Sequence, residues 1–306
     1  MRTFLLLVLV APTLVFAQAK RITTVIDSYP QLSRDGTTIV FQSNRSGSWQ
    51  IYKCKPDGSA LEQLTKLPFA AAGPSWSPNG RLIAFSGEPG GDSEIFVMNS
   101  DGSDVRQLTS TPGDDSHPHF SADGSRIMFN SARTSADLTV DWSRQWHELF
   151  SMKPDGSDVR QHTRCRSVCT FGSFSPDMTR IVYRKVIDGP AFQWDLTSRG
   201  RNSEIFVANA DGTNEVNLSN NAAFDGWPMW SPDGRQVVFA SNRSGPANTG
   251  RIYVANVDVP SVREVNTGPG SFVQPSWSAD GRRLVLYQHV ETAEYEYGNI
   301  ALVEIH

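Results

Sequence analysis

Cysteine is scarce in this chain, with three residues among 306. That excludes a small scaffold held together by many disulfides. Cys165 and Cys169 lie close together in "CRSVC" and could form one small-loop bridge in an oxidising compartment. Cys54 stands alone and reads as a buried free thiol. A surplus of charge of one sign is also missing: 28 Lys and Arg face 32 Asp and Glu, for a net charge of −4. Without a basic stripe to offset a phosphate backbone, nucleic acid is excluded as a partner. Long apolar runs are absent apart from Phe4 to Val10, which is too short to cross a bilayer. That run follows Arg2 and precedes the small residues Ala17 and Ala19. Residues 1–19 therefore read as a secretory signal peptide, with cleavage after Ala17. No lipid anchor and no membrane span are expected, and the mature protein is expected in the periplasm or secreted. Neither Gly-x-Ser-x-Gly nor His-Glu-x-x-His occurs.

What the sequence does have is internal repetition. "GPSWSPNGRLIAFSGEPGGDSEIFVMNSDGSDVRQLT", starting at Gly73, aligns with five other segments, among them "WPMWSPDGRQVVFASNRSG" from Trp227. The spacing of about 44 residues, longer where insertions occur, fits the four-stranded blade of a β-propeller. Strand a ends in Ser-Pro-Asp-Gly or a near relative, where proline presets the turn and glycine takes the positive φ. Strands b and c alternate in the manner of "RLIAF" and "EIFVM", and a second Asp-Gly turn leads into strand d, "VRQLT". The sixth copy stops after strand c, while "KRITTV" after the leader matches the missing strand d. The expected fold is all-β: residues 20–306 as a six-bladed propeller with four antiparallel strands per blade. The N-terminal strand pairs into the last blade and closes the ring, which removes two sheet edges.

The recurring pattern P-x-W-S-P-D-G-x-x-I-x-F-x-S-N-R-x-G, followed by I-Y-V-x-x-x-D-G and L-T, resembles the repeat of TolB-type propellers. Similar repeats occur in the propeller domains of prolyl-oligopeptidase-like peptidases and in oligogalacturonate lyases. The match runs through all six copies. It implies the propeller fold and, from TolB, an envelope protein partner. Three departures separate the chain from these families. The propeller begins directly after the leader, so the α/β domain of TolB is expected to be missing. The hydrolase signature of the peptidases does not occur. The lyases resemble a seven-bladed version.

The a–b and c–d turns share one face and are short. The b–c and d–a loops share the other, and the b–c loops of blades 3 and 4 are long, which makes that rim the expected binding face. Trp142, Arg144, Trp146 and Trp194 lie in those insertions, and exposed Trp and Arg are common interface anchors. One slot of strand a varies between copies: Tyr29, Gly73, His117, Phe171, Trp227 and Gln274. Strand alternation turns this slot and the one two residues on, which includes His119, toward the channel mouth. Binding is therefore expected at Tyr29, His117, His119, Phe171, Trp227 and Gln274 together with the loop residues, with an envelope protein or a carbohydrate as ligand.

Four of the six histidines fall in blade 3: His117, His119, His147 and His162, all expected toward the loop-rich face. His162 replaces a repeat leucine and reads as core between blades. No cofactor is expected, apart from a divalent metal that His117, His119 and His147 could hold with Asp115. The alternative to a binding module is a carbohydrate-active, lyase-like enzyme using His117 or His147 as base. The chain reads as a monomer.

Overall fold

The computed structural model describes residues 20–21, 25–141, 144–187, 203–245, 249–259, 261–291 and 296–305. The leader, Trp142 and Trp194 lie outside the described residues.

Six four-stranded antiparallel sheets form, one per repeat. Blade 1 consists of β2 (Asp27–Leu32), β3 (Ile39–Ser43), β4 (Gln50–Cys54) and β5 (Glu62–Gln63), hydrogen-bonded in that order. Blades 2 to 5 repeat the scheme with inner strands β6 (Ala71–Trp76), β10 (Asp115–Phe120), β14 (Cys169–Phe174) and β18 (Asp225–Trp230). Blade 6 takes β22 (Ser271–Trp277), β23 (Arg283–Glu291) and β24 (Glu296–Glu304) from the C-terminal end. Its outermost strand is β1 (Lys20–Arg21), where Lys20 pairs with Leu302.

The strands are buried on both faces because each sheet is sandwiched between two others. Along β3, Ile39 and Phe41 pack against Val285 of blade 6, while Val40 packs against Trp76 and Ile83 of blade 2. One such cluster fills each of the six junctions between blades. The apolar residue ending strand a (Leu32, Trp76, Phe120, Phe174, Trp230, Trp277) is the wedge at every junction.

The turn chemistry behaves as read from the sequence. In the first a–b turn the Asp35 carboxylate accepts from Ser33 Oγ at 2.6 Å and from Thr37 N at 3.0 Å, and Gly36 has φ +71°. These hydrogen bonds hold the Asp35 carboxyl below its ordinary value, and Asp177 is drawn down to about 2 in the same way. The closing Thr of "QLT" is structural as well, since Thr109 Oγ1 accepts from Ile95 N and donates to the buried Glu94 carboxylate at 2.5 Å. No helix of the described residues is long and apolar enough to cross a membrane.

Candidate functional site

The channel is built on a repeated irregularity in strand a. In each blade the a–b ladder slips once, between Ser28 and Gln31 in blade 1 and at the matching place in the others. The residue at the slip is left-handed in all six: Tyr29 (φ 51°), Gly73 (59°), His117 (55°), Phe171 (56°), Trp227 (54°) and Gln274 (53°). For a side chain larger than glycine this costs roughly 1–2 kcal/mol, so the surrounding packing must enforce it. The slip frees an N–H from the ladder, and a neighbouring blade supplies the acceptor. Gly73 N donates to Gln42 Oε1 at 2.7 Å, His117 N to Ser86 Oγ at 3.0 Å, and Tyr29 N to Gln274 Oε1 at 2.8 Å. At the end of strand a, Trp76 N donates to Gln31 Oε1, and Phe120 N to Ser75 Oγ at 3.1 Å. Several axial polar side chains are thus staples between blades.

The variable slot faces the axis, where its side chains fill most of the channel. Tyr29 and Phe171, from opposite blades, stack across the axis with ring centroids 6.4 Å apart. His117 lies 4.3 Å from Phe171 and 5.7 Å from Tyr29, and Trp227 packs 5.9 Å from Phe171. A cavity of about 90 Å³ remains within this collar, with Gln274 also on its wall. Toward the a–b turns the channel widens into a funnel of about 450 Å³ bounded by His119, Met229 and the Trp76, Trp230 and Trp277 side chains.

The collar also holds one buried charge that the sequence reading missed. Arg184, on β15 (Arg180–Val186), is fully buried, with its guanidinium 5.6 Å from the Phe171 ring and 5.5 Å from Phe224. Burial draws its pKa down to about 9, so it remains charged at neutral pH. Burial, then the Arg184 charge, pushes His117 down to about 3, and burial brings His119 to about 4. The Tyr29 hydroxyl is raised by burial. A signal for Arg184 exists in the repeat: the strand-b slot that pairs with strand a just before the slip reads Gln42, Ser86, Asn130, Arg184, Ala240, Tyr287. All six stand opposite strand a beside the slip, and this slot supplies the staples from Gln42 and Ser86.

Among the described residues, His117, His119, His147 and Asp115 form no group with ligand atoms within 4.8 Å of one another. Asp115 is instead fully buried and bonded to Arg133 at 2.6 Å. The same unit recurs in blades 1 and 5 as Asp27–Arg45 and Asp225–Arg243, each at 2.7 Å. The arginines of "SNRSG" are therefore structural, lying over Tyr52 and Tyr253 at 5.0 and 4.8 Å. His162 is core between blades, bonded to Ser151 Oγ at 2.7 Å and to Ala210 O at 2.6 Å. Ala210 immediately precedes the c–d turn of blade 4, so the His162 ring points away from the loop-rich face.

At the loop-rich rim, His147 is 4% exposed and forms a parallel bridge to Val168, joining the blade 3 insertion to the following d–a loop. Arg144, Arg164 and Arg166 are exposed there, and Trp146 is half-buried. The d–a loop is closed by a Cys165–Cys169 disulfide, while Cys54 is buried and free, its thiol pushed up to about 12 by burial.

Comparison with known proteins agrees with this architecture. Among solved structures, TolB from Acinetobacter baumannii superposes with a TM-score of 0.66 at 20% identity, covering 83% of this chain and 57% of that one. A putative TolB from Agrobacterium tumefaciens gives 0.65 at 20% identity, covering 92% of each chain. Oligogalacturonate lyase from Vibrio parahaemolyticus gives 0.59 at 15% identity over 94% of this chain and 82% of that one. At these identities the likeness is one of fold. No curated protein matches the chain by sequence. The family model for the Tricorn protease N-terminal beta propeller domain matches residues 51–292, and the chain belongs to that family.

Proposed function

We propose that this propeller is an exported, envelope-associated binding module whose partner presents carboxylates to the loop-rich rim between blades 3 and 4. The observation that carries the reading is that exposed Arg144 and half-buried Trp146 precede His147 while exposed Arg164 and Arg166 precede Val168, and the His147–Val168 bridge joins the two segments. The His147–Val168 bridge and the bonds from Cys165 N and Arg166 N to Glu148 hold that group on a rigid frame. Arginine forks match carboxylates and a tryptophan face suits a sugar ring or an apolar side chain, so both an acidic protein segment and an acidic glycan fit. The leader at residues 1–19 supports export. The likeness to TolB structures makes the envelope the natural setting.

The lyase alternative finds less support. A base near pH 7 needs a pKa near 7, whereas His117 and His119 lie at about 3 and about 4, and His147 is buried.

The test is calorimetric titration with two probes, a glutamate-rich peptide and oligogalacturonate. At least one should bind with an affinity that falls as salt rises. Arg164→Ala with Arg166→Ala, or Trp146→Ala, should weaken that binding about tenfold or more, the size expected for an interface anchor. His117→Asn should leave it within a few-fold. Binding that ignores the rim changes, or release of unsaturated sugar from oligogalacturonate, would sink the proposal.

A further inference from the structure

The disulfide in the rim loop has a third potential ligand beside it. Glu148, 2% exposed, opens β12 (Glu148–Met152) and turns its carboxylate into the d–a loop. There Oε2 accepts from Thr163 Oγ1 at 2.6 Å and Cys165 N at 3.0 Å, and lies 3.2 Å from Cys165 Sγ, while Oε1 accepts from Arg166 N at 2.7 Å. The Cys165 and Cys169 sulfurs and a Glu148 oxygen all lie within 4.8 Å of one another. Among the described residues no other group of three such side chains does so.

From this geometry we infer that the reduced protein carries a Cys₂Glu site for a thiophilic divalent ion of the zinc type. The spacing Cys-x₃-Cys falls within that of zinc ligand pairs, and a tetrahedral ion bonded at about 2.3 Å holds two thiolates about 3.8 Å apart. Opening the disulfide lets the sulfurs separate to that distance, and the hydrogen bonds already hold the carboxylate in place. Cys169 and Glu148 are buried, while Cys165 is half-buried and leaves a way in. Water completes the coordination. A dithiol reductant donates two electrons and two protons to the S–S bond and is itself oxidised to a disulfide. The ion then displaces both thiol protons to solvent. The oxidised loop and the metal-bound loop are alternative closures of the segment that presents Arg164 and Arg166.

The experiment compares wild-type protein before and after dithiol reduction and removal of the reductant. Each sample is titrated with Zn²⁺ against a chromogenic chelator, and with Co²⁺ while thiolate-to-cobalt absorption is followed. Reduced protein should withhold one equivalent of zinc and show the absorption; oxidised protein should do neither. Cys169→Ser should abolish both signals, and Glu148→Gln should weaken zinc binding at least tenfold. Cys54→Ala should change nothing. Equal zinc uptake by both redox forms, no uptake by the reduced form, or uptake retained in Cys169→Ser would each overturn the inference. The wild-type comparison needs no variant to fold.

Discussion

Acidification from pH 7 to pH 5 should destabilise this propeller through two collar histidines. His117 and His119 have folded-state pKa values of about 3 and about 4, against roughly 6.5 in an unfolded chain. The unfolded state therefore takes up protons below pH 6.5 while the folded state does not, and stability falls as pH drops through that window. Linkage gives about 1.9 kcal/mol lost per histidine between pH 7 and pH 5, or about 4 kcal/mol for the pair. His162, lowered by burial, adds in the same direction. Asp225 opposes it. Burial raises its carboxyl to about 6, so the folded state binds the proton first, and stability rises by about 1.3 kcal/mol over the same interval. Glu94 and Asp115, also raised by burial, act with Asp225. The net expectation is a loss of about 2–3 kcal/mol, which moves a urea midpoint down by about 1 M. The assay is urea unfolding at pH 7, 6 and 5 for wild type and for His117→Asn with His119→Gln. Asn is chosen at 117 because it tolerates the left-handed backbone. The double variant should lose the downward slope. Equal wild-type stability at pH 7 and 5, or an unchanged slope in the variant, would refute the reasoning.

Three further outcomes follow from the packing. Arg243→Ala strands the fully buried Asp225 carboxylate and should cost about 3–5 kcal/mol, less at pH 5 than at pH 7, by chemical denaturation. Gly172 stands where most blades carry proline, and a Cβ there would meet Leu149 at 2.6 Å and Met128 Sδ at 2.8 Å. Gly172→Ala should cost about 1–3 kcal/mol through overpacking, and adding Met128→Ala should recover part of it; equal stability of the single and double variants would count against this. Met178 is left-handed (φ 65°) at a turn position where Gly36, Gly80, Gly124, Gly234 and Gly281 occupy the other blades. Met178→Gly should raise stability by up to about 1 kcal/mol in thermal melts.

The fold was legible because its determinants are local and repeated. Ser33, Asp35 and Gly36 announce a turn by their own hydrogen bonds, and the same triplet recurs in blades 3, 5 and 6, with Asn79 for the aspartate in blade 2 and Met178 for the glycine in blade 4. The apolar wedges from Leu32 to Trp277 identify the junctions by sitting at one register. The collar was only half legible. Alternation placed Tyr29, His117, Phe171 and Trp227 on the axis, but a left-handed slip is advertised by glycine, and only Gly73 supplies one. How far those side chains reach across the channel depends on the diameter of the closed ring, which no single repeat encodes. Arg184 was missed because a charged residue in a strand reads as surface; its burial follows from register with Thr170 beside the slip. The Asp–Arg units were hidden by distance, since Asp115 and Arg133 stand 18 residues apart.

Contacts across the axis also bear on how many repeats the ring can hold. In an open-bored ring each blade touches only its two neighbours, so a copy can be gained or lost with modest adjustment at each junction. Here Tyr29 of blade 1 stacks on Phe171 of blade 4, and Gln31 reaches His119 of blade 3 at 3.4 Å. Adding a blade would widen the bore and pull these partners apart; removing one would drive them together. Copy number in this chain is therefore set by side chains at the centre as well as by the junctions.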